Sequence, residues 1–274
     1  SADDARAEAV VLLLHGGTPD SFAPVRAFDH AVLRLFPVGR SVVRAGGGRI
    51  AVATRRYAVR GWNGEQESPL PDARWALDQI DERFGDLPMG LVGHSMGGRV
   101  ALRVTDHRIV RSVAALAPWL PDGEPIADLG DRKVLLAHGT ADRTTDPTAT
   151  DALARKLGER GVDVEQHEFI GGHHPMLFPA KPWHDLVAEF LDHHLTADFV
   201  HVRLADLPHR PVLAHVVFQF FPVVCRHPCL PHPPIGARAG HPHFLPGSTP
   251  LSPLRAAFCR PLAPPPSPLL WSLL

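Results

Sequence analysis

Residues 10–14 read VVLLL, and no other stretch restricts the fold so tightly. An apolar run of strand length offers no polar side to water, so it must be covered on both faces. Similar strand candidates follow at Ile50–Thr54, Met89–Gly93, Val110–Leu116, Lys133–Ala137 and Val162–Phe169. Between them the period changes. Ala73, Leu77, Ile80 and Phe84 share one face of a stretch opened by Pro71–Asp72 and closed by Gly85. Thr150–Arg160 and Trp183–His194 read as further helices. This alternation predicts right-handed βαβ units, hence a three-layer α/β domain with a mainly parallel sheet of about six strands. No internal repeat is visible.

Composition divides the chain in two. Residues 1–195 carry the alternating pattern and form one domain, whereas residues 196–274 are rich in Pro and His and interrupt any helix or strand every few residues. This tail reads either as a disordered extension or as out-of-frame translation of high-GC DNA. The break falls where a complete domain ends, which favours the second reading. Its Cys225, His227, Cys229 and His232 have spacings that match no common zinc pattern, so no metal is expected.

A formal net charge of −1 gives no general basic field for nucleic acid. The apolar runs are too short for a membrane span. No signal-peptide pattern opens the chain, and all three cysteines lie beyond residue 195. A reducing, cytoplasmic location is therefore expected. The sequence carries no signal for an oligomeric state.

The chemistry concentrates at strand ends. Gly93-His94-Ser95-Met96-Gly97 is a G-x-S-x-G sequence between an apolar strand (MGLVG) and a helical stretch (GGRVALRVTDH). That context makes Ser95 a candidate nucleophile on a sharp turn, with small residues required on either side. Two N–H donors must meet the oxygen that becomes negative during acyl transfer. Met96, following the serine, is one candidate, and Gly17 in His15-Gly16-Gly17 is the other. His15 is expected to brace this loop rather than react. Further on, KVLLAHGTADRTTDP sets Asp142 just past a strand. Asp146, before a proline, is expected to initiate the next helix. GGHHPML then offers His173 and His174 side by side.

In the order Ser, acid, His, residues 8–195 resemble the α/β-hydrolase superfamily. Closest is a compact group of bacterial serine hydrolases without a large lid. The phrases carrying that likeness are YAVRGWNG, PDARWALDQI, GHSMGGRVALRV, ALAPWLP, LLAHGTADRTTDP and HHPMLFPAKPWHDLVAEF. Against the superfamily pattern the sheet lacks its first two strands, and the tail has no counterpart. The resemblance implies a Ser95–Asp142–His triad. A Gly-His-x-Pro-Met-Leu alignment selects His173. The compact group's spacing to Met176-Leu177 and Trp183-His184 selects His174, which is the residue adopted.

The loop APWLPDGEPIADLG leaves no room for a helical cap, so an open acyl pocket is expected, with Trp62 and Trp119 as candidate walls. Core packing is the competing role for both. The expected function is hydrolysis of a small-molecule ester by acyl transfer to water, without metal or organic cofactor. Thioesterase, acyltransferase and peptidase activities would use the same residues, and a non-catalytic small-molecule binder is the alternative of another class.

Overall fold

The computed structural model describes residues 7–176 and 179–203, with 197–203 described as helical backbone. Val10–Leu14 lies inside the first strand, β1 (Ala9–Leu14), every residue of which is buried. Its alternate side chains enter two separate cores. Val10, Leu12 and Leu14 join the core that contains Leu77, Ile80, Val100 and Leu157. Ala9, Val11 and Leu13 join the one that contains Val38, Val42, Val187 and Leu191. A period of two on a strand covered on both sides accounts for this division. Each fully buried Val or Leu contributes about 1.5–3 kcal/mol relative to exposure.

The remaining strands are β2 (Ile50–Arg55), β3 (Met89–His94), β4 (Val110–Leu116), β5 (Lys133–Gly139) and β6 (Val164–Phe169). Among the described residues they form one six-stranded sheet in the order β2-β1-β3-β4-β5-β6. Every pairing is parallel. A short helix, α1 (His30–Leu33), precedes α2 (Leu35–Ala45). The others are α3 (Pro69–Phe84), α4 (Met96–Arg103), α5 (Pro147–Glu159) and α6 (Ala180–Arg203). Residues of α2 and α6 fill one core, and residues of α3, α4 and α5 fill the other.

Helices α2, α5 and α6 differ from the sequence expectation in ways that matter to the architecture. Helix α2 is absent from it because Pro37 and Gly39 interrupt the stretch. Pro37 sits in the first turn, where its missing N–H is not needed, and Leu35, Val38 and Val42 make the buried face. Helix α5 begins at Pro147, earlier than expected, because the Asp146 carboxylate caps it by accepting from Thr148 N–H. Helix α6 passes residue 195 without a break and runs to Arg203. The change in composition at 196 therefore does not mark the end of an element. Cys225, His227, Cys229 and His232, with the rest of the tail beyond 203, lie outside the described residues.

Strand order reverses between β1 and β3, which are adjacent although β2 intervenes in sequence. Ligands in open parallel sheets bind beyond the carboxyl ends of the strands at such a reversal. His15-Gly16-Gly17 follows β1 there, and Ser95 follows β3.

Candidate active site

Ser95 joins β3 to α4 with φ 57° and ψ −120°, a conformation an L residue rarely adopts. Strain of this kind persists only where the surroundings impose it. Here they do. The Ser95 carbonyl accepts from the N–H groups of Gly98 (3.0 Å), Arg99 (3.2 Å) and Trp119 (3.1 Å), while Ser95 N–H reaches Leu116 O at 2.9 Å. A Cβ at Gly93 would overlap the Gly97 carbonyl, and one at Gly97 would overlap the Leu14 carbonyl. Both glycines of the motif are thus required by close backbone approach.

The loop after β1 is braced from below. His15 is buried, its Nδ1–H donates to Gly16 O (2.6 Å), and its Nε2 accepts from Tyr57 N–H (3.2 Å). Burial lowers its pKa to about 4, which keeps the ring neutral as these bonds require. Thr18 N–H is committed to Arg60 O at 3.0 Å. The N–H groups of Gly17 and Met96 find no backbone acceptor among the described residues.

Asp142 and His174 come from adjoining turns. Gly139, at the end of β5, meets Gly172 so closely that a Cβ would overlap the Gly172 carbonyl. Ala141 N–H donates to Gly172 O (3.0 Å) and Gly171 N–H to Thr140 Oγ1 (2.9 Å). This lacing sets His174 Nδ1 at 2.7 Å from Asp142 Oδ2. His173 turns away, is exposed, and donates from Nδ1 to Ala141 O at 3.1 Å.

Asp142 has further partners that pattern reading did not single out. Its Oδ1 accepts from the N–H groups of Thr144 (2.7 Å) and Thr145 (3.1 Å). Its Oδ2 lies 3.0 Å from the Thr145 hydroxyl and 3.2 Å from His138 Nε2. His138 is buried, which lowers its pKa, and its Nδ1 meets the Thr150 hydroxyl at 2.7 Å. Burial alone would raise the Asp142 pKa. The Thr144 N–H, with His174 and the Thr145 N–H, reverses that effect and holds the carboxyl below its ordinary value. His94, the last residue of β3, donates from Nε2 to the His174 carbonyl (2.9 Å).

These bonds bring Asp142 and His174 together, and Ser95 stands beside His94, which touches both sides of the site. No hydrogen bond joins Ser95 Oγ to His174 among the described residues; such links commonly tighten only with substrate bound. The two tryptophans separate. Trp62 is 3% exposed, packs in the core with Val100 and Leu77, and has the Arg99 guanidinium over its ring at 3.5 Å from the centroid. Arg99 in turn pairs with Glu124 at 2.6 Å. Trp119 is half-buried, and its backbone N–H donates to the Ser95 carbonyl.

Residues 117–132 contain no helix or strand, so no helical cap lies between β4 and β5. A cavity of about 540 Å³ lies between α2 and α6, lined by Arg40, Ser41, Arg44, Lys181 and His184 among others, and includes none of Ser95, Asp142 and His174. Among the described residues no cluster of His, Cys, Asp or Glu could hold a metal. No helix among them is long and apolar enough to cross a membrane.

No family model matches the chain, and no curated protein matches its sequence. Solved structures do match. One is a protein of unknown function from Agrobacterium tumefaciens described as an alpha/beta hydrolase, with TM-score 0.54 and 17% identity over 70% of this chain and 88% of that one. Another is a serine hydrolase without a lid from Xanthomonas campestris, with TM-score 0.53 and 16% identity over 69% and 84%. A third is an esterase from Pyrobaculum calidifontis, with TM-score 0.51 and 16% identity over 68% and 76%. At such identities the likeness concerns the fold.

Proposed function

We propose that this chain, which has the α/β-hydrolase fold, is a serine hydrolase that transfers an acyl group from a small-molecule ester to water. The observation that carries this reading is the left-handed backbone of Ser95 at the point where strand order reverses. A serine held there presents its hydroxyl above the sheet at the N-terminus of α4. His174 Nε2 takes the Ser95 proton as Oγ attacks the ester carbonyl. Asp142, accepting the Nδ1–H at 2.7 Å, fixes the tautomer and stabilises the imidazolium. The N–H groups of Gly17 and Met96 hold the tetrahedral oxyanion. His174 then protonates the departing alcohol. Water, deprotonated by the same histidine, releases the acid and restores Ser95.

An ester is favoured over an amide because its leaving group departs more easily. The open loop over residues 117–132 supports a shallow acyl site bordered by Trp119. The solved structures of similar fold include an esterase and a serine hydrolase without a lid, which supports the reaction class by analogy. The test is a panel of p-nitrophenyl esters and matching thioesters of increasing acyl length, run beside Ser95→Ala. Turnover by the parent that vanishes in the variant is the expected result. Equal turnover by both would remove Ser95 from the mechanism.

A further inference from the structure

The mechanism above uses one face of His174 and leaves its backbone unexplained. His174 lies in the turn between β6 and α6, after Gly171, whose φ is 71°. Its ring is tied to Asp142 through Nδ1 alone at 2.7 Å, apart from a Thr145 hydroxyl at 3.1 Å on the same atom. A ring held at one atom can still swing about that bond, carrying Nε2 away from the serine.

A second anchor comes from across the sheet. His94 is 1% exposed, its Nε2 lies 2.9 Å from the His174 carbonyl oxygen, and the two rings sit 4.7 Å apart at 45°. A carbonyl only accepts, so His94 must carry its proton on Nε2. Its Nδ1 is then bare, and this atom has no hydrogen-bond partner in its buried position. Nδ1 lies against the oxyanion loop: a Cβ on Gly16 would stand 3.5 Å from it and 3.4 Å from Ser95 Cβ. His94 therefore adjoins the nucleophile in sequence, the oxyanion loop through Nδ1, and the base through Nε2.

We propose that His94 is a positioning residue whose Nε2–H fixes the His174 backbone, so that the imidazole is held at two points and its Nε2 is aimed at Ser95. This rests on the reading of Ser95, Asp142 and His174 given above. Burial, reinforced by the neighbouring His174, lowers the His94 pKa to about 3, so the ring stays a neutral donor through the working range. An asparagine amide would be too short to reach the carbonyl, whereas a glutamine amide nitrogen can stand in for Nε2–H.

The test has an arm that needs no turnover. In the full chain, nitrogen NMR of the imidazoles should find His94 as the neutral Nε2–H tautomer at neutral pH. An Nδ1–H tautomer or a cation there overturns the proposal. In His94→Leu, kcat is expected to fall about 10²-fold with KM little changed, as for a base misplaced by about 1 Å. The downfield proton resonance of His174 Nδ1–H should weaken or shift with it. His94→Gln should restore both. Equal losses in the Leu and Gln variants with an unchanged resonance would show that His94 acts by packing alone. A chain that hydrolyses no ester at all would overturn the proposed function, while the tautomer and the resonance still judge this anchor.

Discussion

His174 donates its Nδ1–H to Oδ2 of Asp142 across 2.7 Å, from a turn that meets the acid's own turn glycine to glycine. His173, one residue earlier, spends its Nδ1 on the Ala141 carbonyl and faces solvent. The two histidines therefore separate in an experiment. His174→Ala is expected to lower kcat/KM by about 10⁴-fold. His173→Ala should stay within about tenfold, as expected for a group outside the reacting atoms. Steady-state kinetics on the best ester of the panel checks both, and the reverse pattern would move the base to His173.

Stability should fall on acidification well before the carboxylates titrate. His15 and His94 have pKa values lowered to about 4 and about 3, in each case by burial first. The unfolded chain protonates both near the ordinary value of about 6.5, while the native state does not. Between those values the unfolded state binds more protons, so stability is full above about 6.5 and is lost as pH falls toward 4 and 3. Each unit of acidification in this window costs about 1.4 kcal/mol per histidine. Asp142, whose pKa is also lowered, adds a loss of the same sign at lower pH. Urea unfolding across a pH series measures the slope, and His94→Gln should flatten it.

Gly17→Ala tests the oxyanion loop. Its new methyl would overlap the Arg60 carbonyl and press on the Met96 side chain, so the loop must move. The expected loss is about 10²-fold in kcat with a small change in KM. Gly97→Ala should act on folding instead, because its methyl overlaps the Leu14 carbonyl at the centre of the sheet. An unaltered kcat in Gly17→Ala would take Gly17 out of the oxyanion hole.

Away from the site, Asp72 holds the buried Arg55 guanidinium and accepts Ala58 N–H at 2.6 Å. The Arg55 side chain is 0% exposed and also lies 4.6 Å from the Trp75 ring centroid. Asp72→Ala removes one carboxylate from this buried guanidinium and an acceptor from Ala58 N–H, and is expected to destabilise the fold by more than about 1 kcal/mol. Denaturant unfolding reads that loss directly.

Legibility in the sequence differs from residue to residue. Val10–Leu14 gave away the two-sided sheet because a continuous apolar run has few other homes. GHSMGG was legible because its glycines answer to backbone clashes that every sharp strand-to-helix turn shares. Helix α2 was hidden because Pro37 looks like a breaker unless its place in the first turn is known. For Trp62 the sequence left wall and core roles open, because it does not reveal that Arg99 lies against the ring. His138 and Thr145 lie four residues before and three after Asp142, spacings that carry meaning on a helix and none across a strand-end turn. His94 was in plain view inside the motif, but its bond to His174 spans 80 residues of sequence. Polar partners of that kind come from tertiary geometry and leave no local pattern.

The most direct test of the central claim is covalent. The full chain treated with a fluorophosphonate should gain one phosphonyl adduct, and peptide mass spectrometry should place it on Ser95. His174→Ala should slow the labelling, and Ser95→Ala should abolish it. A folded chain that stays unlabelled, or carries the adduct on another residue, would contradict the assignment of Ser95 as an activated nucleophile.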